Sequence, residues 1–515
     1  MNRRSLRCAT YAATLAAAAL AFAFTGTHAG ESAEVTSAVR IEGGTVSGTT
    51  TGGVDAFKGI PYAAPPLGEL RWRAPAPPVP WPGVLAGADY GASCPQAAPP
   101  ERVPDGSRAE SRSEDCLTLN VWTPASHRKP LPVMVWLHGG GNTSGTGSQT
   151  FYDGTGFARD GVVLVTLNYR LGVLGFFAPA AIVREAGATA TADFGLLDQI
   201  AALKWVRENV AAFGGDPSNV TLFGESAGGE DALILANSDA ARGLFARAIV
   251  ESAGDLWNRW PTLAEAQTRS ALVAAKFGLE GDAATSVRLR ALPASTLAGI
   301  GDEDQLGPIV DGHVVRAPLA QTLGRAVNVP VVIGTNDGDG SIAGGVTDPA
   351  DLFPALTSAD VSFVRARLNA AGISGDGPVA SQFFGDGYFA APARWVAETL
   401  AAAGKPAYLY RFDYVASFLS GRRRAATHGS EIPFVFDSWS PAVPLSDADR
   451  TVGADLHDCW VAFARAGVPD CGGVPHWPRY DVRDRRLMNF SARPSLQVPA
   501  DTDIIDLLEQ KLVPR

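Results

Sequence analysis

Short apolar runs and longer amphipathic stretches alternate along most of this chain. "LPVMVWLH" (131–138), "VVLVTLNY" (162–169), "NVTLF" (219–223), "ARAIV" (246–250), "VPVVIG" (329–334) and "AYLYRFD" (407–413) are rich in branched and aromatic residues. Runs of this kind predict strands buried on both faces. The stretches between them have helical spacing. In "DFGLLDQIAALKWVRENVAAFGGDP", Leu196, Leu197, Ile200, Leu203, Val206 and Val210 fall on one stripe, and Gly214, Gly215 and Pro217 end it. Two-sided strands separated by helices predict an α/β fold, with a mostly parallel sheet covered on both faces. The stretches 257–301 and 353–403 also read as helical. Both fall between strands, so they are expected to be insertions that build a cap. No internal repeat appears, and no linker divides the chain after its first 29 residues.

The ends follow other patterns. "IEGGTVSGTTTGG" alternates like an antiparallel hairpin. The prolines of "FKGIPYAAPPLGELRWRAPAPPVPW" are expected to exclude regular structure. Residues 95–115 are polar and charged, as in a surface loop. "GADLHDCWVAFARAG" reads as the last helix, before a C-terminal segment containing "WPRYDVRDRRLMNF".

Residues 1–29 stand apart. Arg3, Arg4 and Arg7 precede an apolar run, and Thr27-His28-Ala29 places small residues where signal peptidase cuts. The segment reads as a secretory signal cleaved near Ala29, which implies an extracellular or periplasmic protein. Arg3-Arg4-Ser5-Leu6 is a weak twin-arginine pattern, so Sec and Tat export both stay open. Cys8 lacks the preceding small residue of a lipoprotein signal. No later apolar run reaches bilayer-spanning length.

Composition adds bounds. Of 515 residues, 46 % are hydrophobic and 19 % charged, a globular balance with material for a large core. Losing three signal arginines and no acid takes the net charge from −10 to −13. Such a surface argues against nucleic acid or an anionic membrane as partner. Cys94, Cys116, Cys459 and Cys471 remain in the mature chain. An even count in an exported chain suggests disulfides, with three possible pairings. The absence of C-x-x-C speaks against a zinc site, and no metal is expected.

Reacting groups in parallel sheets gather beyond the carboxyl ends of the strands. After "NVTLF" comes Gly224-Glu225-Ser226-Ala227-Gly228, leading into a helical stretch. G-x-S-x-G alone is weak in a chain with 56 glycines. Placed between strand and helix, it predicts a sharp turn that projects Ser226 Oγ, with the Ala227 amide free at the helix start. After "VMVWL" comes His138-Gly139-Gly140-Gly141. The amides of Gly140 and Gly141 could join Ala227 as a three-donor oxyanion hole. A serine nucleophile needs a base and an orienting acid. "TNDGDGS" offers Asp337 and Asp339, and the segment after "AYLYRFD" offers His428. The order Ser, Asp, His is the hydrolase order. The other histidines of the mature chain read as structural or solvated: His127, His138, His313, His457 and His476.

The motifs "FKGIPYAAPPLGELRW", "SEDCLTLNVW", "HGGG", "NYRLGVLGFF", "FGGDPSNVTLFGESAGG", "GPIVDG", "GTNDGDGS" and "HGSEIPFVF" resemble the type-B carboxylesterases. These belong to the carboxylesterase/cholinesterase branch of the α/β-hydrolases, and the likeness runs through nearly the whole mature chain. It implies one α/β-hydrolase domain over 30–515 and hydrolysis of small-molecule carboxylic esters without a cofactor. It also implies Ser226 as nucleophile, His428 as base and Gly140, Gly141 and Ala227 as oxyanion donors. Ser252, in "IVESAG", would support the acid, and Cys94 and Cys116 match the family's N-terminal disulfide loop. The acid falls on Asp339, where the family usually has glutamate, so Asp337 stays a rival.

Other departures touch specificity. Residues 95–115 contain no aromatic residue, which argues against the cation–π capture of choline esters. Asn142 follows the oxyanion glycines where the family often has an aromatic or apolar residue, and Glu230 is unusual one turn beyond the nucleophile. Trp257, Phe384, Phe418 and Trp439 read as core residues that could also line a pocket. Lipase, amidase or lactonase activity and a non-catalytic binding protein are the alternatives, and a monomer is expected.

Overall fold

The computed structural model describes residues 34–513, apart from 37, 98–110, 255, 258, 259, 301–305 and 347. The signal segment read at 1–29 and most of the charged loop at 95–115 lie outside the described residues.

The strands, in chain order, are β1 (Glu34–Val35), β2 (Val39–Ile41), β3 (Gly44–Ser47), β4 (Thr49–Thr51), β5 (Val54–Pro61), β6 (Val84–Ala86), β7 (Thr118–Pro124) and β8 (Leu131–Leu137). There follow β9 (Val163–Leu167), β10 (Gly215–Glu225), β11 (Arg247–Glu251), β12 (Val331–Asn336), β13 (Ala407–Phe412), β14 (Leu487–Phe490) and β15 (Ser495–Gln497). Twelve of them form one sheet in the order β1-β4-β5-β7-β9-β8-β10-β11-β12-β13-β14-β15, while β2, β3 and β6 form a small second sheet. From β9 through β14 every neighbour is parallel, and antiparallel strands flank this centre.

All six apolar runs became central strands. Their side chains alternate between two cores, as a period of two requires. On β8, Val133, Val135 and Leu137 join one core and Met134 and Trp136 the other. On β12, Val331 and Ile333 face the first and Val332 the second. The helix Phe194–Asn209 buries Leu196, Ile200, Leu203 and Val206, and Gly214 ends the turn after it in the left-handed region at φ 82°. The stretches expected to be cap insertions are helical at Leu263–Ala275, Ser358–Ala370, Asp376–Gly385 and Ala391–Ala402, but the last of these is a sheet-covering helix that packs Val396, Ala397 and Leu400 into the first core.

Two readings need correction. "FKGIP" is strand, not irregular chain: β5 runs to Pro61, pairing antiparallel with β7. Proline is tolerated there because it closes the strand, where a missing N–H interrupts no ladder. The helix Asp447–Ala466 is not the last one. Thr502–Leu512 follows it and buries Ile504, Ile505 and Leu508 against Trp257 and the cap. Four charged residues in "TDIIDLLEQKL" hid that short apolar face.

Both disulfides join nearest neighbours, Cys94–Cys116 and Cys459–Cys471. The second ties the helix Asp447–Ala466 to the segment after it, 12 residues apart in sequence. Replacing both its cysteines (Cys459→Ala with Cys471→Ser) is expected to cost about 3 kcal/mol through the freer unfolded chain. A urea midpoint that falls at unchanged slope would register it.

Candidate active site

The register of the central strands brings the candidate residues together. Gly224 on β10 sits opposite Leu137 on β8, and Glu225 opposite Glu251 on β11. Glu251 in turn faces Gly334 on β12. The residues that follow these positions therefore emerge side by side at one end of the sheet.

Ser226 stands between β10 and the helix Ala227–Asn237 with φ 56° and ψ −127°. A non-glycine residue there is strained and persists only where its surroundings enforce it. Its amide donates to the Glu251 carbonyl at 2.9 Å. The flanking glycines are required by packing. A Cβ on Gly224 would lie 2.5 Å from the Gly228 carbonyl carbon, and one on Gly228 would lie 2.0 Å from the Leu137 oxygen. The helix start thus presses directly on the end of β8. Ala227 opens the helix, where the first N–H groups have no partner within it.

The His138–Gly141 loop lies against this turn. A Cβ on Gly139 would fall 3.0 Å from Ser226 Cβ. Gly140 has φ 106° and accepts from the Thr143 and Ser144 amides at 3.1 and 3.0 Å. His138 stacks on Tyr169 with ring centroids 4.3 Å apart, and the Tyr169 hydroxyl donates to the His138 carbonyl at 2.6 Å. Burial lowers the His138 pKa to about 4, so this imidazole is neutral.

His428 Nδ1 lies 2.8 Å from Asp339 Oδ1. Asp339 Oδ2 accepts from Ser252 Oγ and from the Asn336 amide, each at 2.9 Å. Asp337 is placed elsewhere: its Oδ1 accepts from the Ala426 amide at 2.8 Å. His428 Nε2 has no hydrogen-bond partner among the described residues and sits 3.1 Å from Glu225 Oε1. Serine–histidine contacts are often loose before substrate binds. Phe389, from a π-helical turn at Asp386–Ala390, packs its ring 5.0 Å from the imidazole.

The charge around His428 is mainly negative. Burial disfavours the imidazolium, but Glu225 and Asp339 outweigh burial and raise the His428 pKa to about 9. Burial raises Glu225 to about 7, opposed by His428. Glu431 is raised to about 8 by burial, then by Glu225 and Asp339, and it accepts from Asn336 Nδ2. Glu251 is driven well above the carboxylate range by burial, and Trp460 Nε1 donates to it at 2.9 Å. Sequence reading passed over Glu225, Glu251, Glu431 and Phe389. Glu225 lies inside the elbow motif and could have been found there.

The remaining candidates divide. Glu230 accepts from Trp260 Nε1 at 2.9 Å. Asn142 is buried and donates from Nδ2 to Asp231 Oδ1 at 3.1 Å, so its amide turns inward. Trp257 belongs to the cap core, Phe418 and Trp439 pack beside the second core, and Phe384 stacks on Tyr388 at 4.8 Å.

The profile of the carboxylesterase family matches residues 35–363 and 377–504. Fumonisin B1 esterase from Sphingopyxis macrogoltabida is 36 % identical over 496 residues, which cover 88 % of this chain and 86 % of that protein. Para-nitrobenzyl esterase from Bacillus subtilis (strain 168) is 35 % identical over 498 residues, 92 % of this chain and 97 % of that one. A solved structure of PNB esterase superposes with a TM-score of 0.79 at 32 % identity, covering 93 % of this chain and 99 % of that one. With this sheet, this turn and these relatives, the chain belongs to the carboxylesterase family of α/β-hydrolases and is a carboxylic ester hydrolase.

Proposed function

We propose that the enzyme cleaves small and medium-sized carboxylic esters through an acyl-enzyme on Ser226. His428 takes the Ser226 proton as Oγ attacks the carbonyl carbon. The amides of Gly140, Gly141 and Ala227 receive the oxyanion, each worth about 3 kcal/mol in the transition state. His428 then protonates the departing alkoxide, and a water activated by the same imidazole releases the acid. Asp339 holds the imidazole in the tautomer with Nδ1–H and stabilises the imidazolium, and Ser252 holds Asp339. The observation that carries this reading is the 2.8 Å contact between Asp339 and His428 beside a serine held at φ 56°.

Two carboxylates facing His428 imply an alkaline enzyme. The base works only when neutral, and with its pKa raised to about 9 it loses its proton late. The expected kcat/KM rises with pH, its midpoint well above the ordinary histidine range. Glu225→Gln removes a negative charge that favours the imidazolium, so the midpoint should move down by about one unit or more. A profile from pH 5 to 10 tests this, and an unmoved midpoint would contradict it.

The relatives are named for different esters, so a panel tests the substrate class. Rates should be highest on short and medium acyl chains, and choline esters should be poor. A preference for long, aggregated esters would favour a lipase. We also propose export, with residues 1–29 as a cleaved signal and the two disulfides formed outside the cytoplasm. Sequencing the secreted protein's N-terminus should begin near Gly30.

A further inference from the structure

We infer that Asp231 is a positioning residue for ester cleavage, fixing the loop of Gly140 and Gly141 against the helix of Ser226 and Ala227 through Asn142 and Gln199. The inference rests on the oxyanion-hole reading proposed above.

Asp231 lies five residues after Ser226 on the same helix and is fully buried. Both its oxygens are engaged by side-chain amides. Oδ1 accepts from Asn142 Nδ2 at 3.1 Å and Oδ2 from Gln199 Nε2 at 2.6 Å. Asn142 and Gln199 are buried as well, at 2 % and 0 % exposure. Asp231 takes the NH2 group of each amide, leaving Asn142 Oδ1 and Gln199 Oε1 without a partner among the described residues, and an ionised acceptor makes the two bonds strong.

Asn142 is the residue directly after the glycine donors, and it is held at both ends. Its φ is 58°, a conformation that side-chain-bearing residues seldom adopt. Its carbonyl accepts from the Gly172 amide at 2.7 Å. Gly172 follows Arg170, whose guanidinium pairs with Asp198 through Nε and Nη2, each at 2.7 Å. Asp198 and Gln199 adjoin on the helix Phe194–Asn209, so both anchors of Asn142 lead to one rigid element.

The need for such a clamp follows from topology. The donors come from two separate segments, one after β8 and one after β10, and must converge on a single oxygen. Glycine contacts such as Gly228 against Leu137 set how close the segments come. They do not fix how the loop is turned. The directed bond from Asn142 to Asp231 does. Burial raises the Asp231 pKa to about 7 against its two amide donors, so the carboxylate is ionised in the alkaline range where His428 is neutral.

The test compares the wild type, Asp231→Ala, Asp231→Asn and Asn142→Ala. Each is assayed for kcat and KM on an activated ester. Inhibition is measured with the matching trifluoromethyl ketone, which forms a tetrahedral oxyanion on serine, and with the corresponding alcohol, which does not. Asp231→Ala and Asn142→Ala are expected to lose about a hundredfold in kcat and in ketone affinity, with KM and alcohol affinity little changed. Asp231→Asn, which can accept from Asn142 and donate to a turned Gln199, should regain most of that loss. Should Asp231→Ala fail to fold, Asn142→Ala removes the same bond from the loop side and carries the same outcomes. If both alanine variants keep the wild-type preference for ketone over alcohol, the inference is overturned alone. If the wild type itself shows no such preference, the oxyanion-hole reading falls, and this inference with it.

Discussion

Ser226→Ala is expected to lower kcat by about five to six orders of magnitude with the fold intact. The substitution removes only Oγ. Alanine accepts the strained φ of 56° no worse than serine, and the Ser226 amide keeps its bond to the Glu251 carbonyl. The crowding that shapes the turn comes from Gly224 and Gly228, which are untouched. What remains is binding and the oxyanion donors, which can still favour attack by water over the uncatalysed reaction. If His428 is the base, His428→Ala should fall to a similar floor, and the double variant should fall little further, because a nucleophile and its base act as one unit. Stopped-flow traces with an activated ester give the check. The wild type should release a burst of alcohol equal to the enzyme present, and Ser226→Ala should release none. A wild type without turnover would instead make the chain a binding protein on a hydrolase fold.

The central sheet was legible because strands apolar on both faces are rare outside it. "LPVMVWL" and "VVIG" have no solvent face, and each became a buried parallel strand. The triad candidates were legible for a related reason: glycines and one serine stand where a strand must turn sharply into a helix. Buried acids were not legible. Asp231 and Glu225 look in sequence like solvated positions, and only the third dimension reveals that Asp231 faces Asn142, 89 residues away. Asn142 and Glu230 both depart from the family's pattern, yet the partner of Asn142 is Asp231, the residue after Glu230. Phe389 is a similar case. It reaches His428 through a helical insertion whose path no local pattern encodes.

Asp339→Asn is expected to cost about four orders of magnitude in kcat, and Asp337→Asn less than about tenfold. The argument is one of donors. Asp339 Oδ2 accepts from Ser252 Oγ and from the Asn336 amide, and a backbone N–H cannot turn around to accept. Asparagine at 339 must therefore place its oxygen there and its NH2 toward His428 Nδ1. That amide group donates, so Nδ1 must accept, and the ring proton moves to Nε2. The imidazole then presents N–H to Ser226 when it should present a lone pair. The geometry survives and the tautomer is wrong. Asp337 has no such task. It receives the Ala426 amide at 2.8 Å, a bond that an asparagine oxygen can keep. Burial raises the Asp337 carboxyl to about 7, so above pH 9 the substitution removes a charge, but that carboxylate bonds the Ala426 amide and not the imidazole. Assays of both variants above pH 9 separate the two, since ordinary protonation of His428 is then removed from the comparison. A collapse in Asp337→Asn with activity kept in Asp339→Asn would reassign the acid.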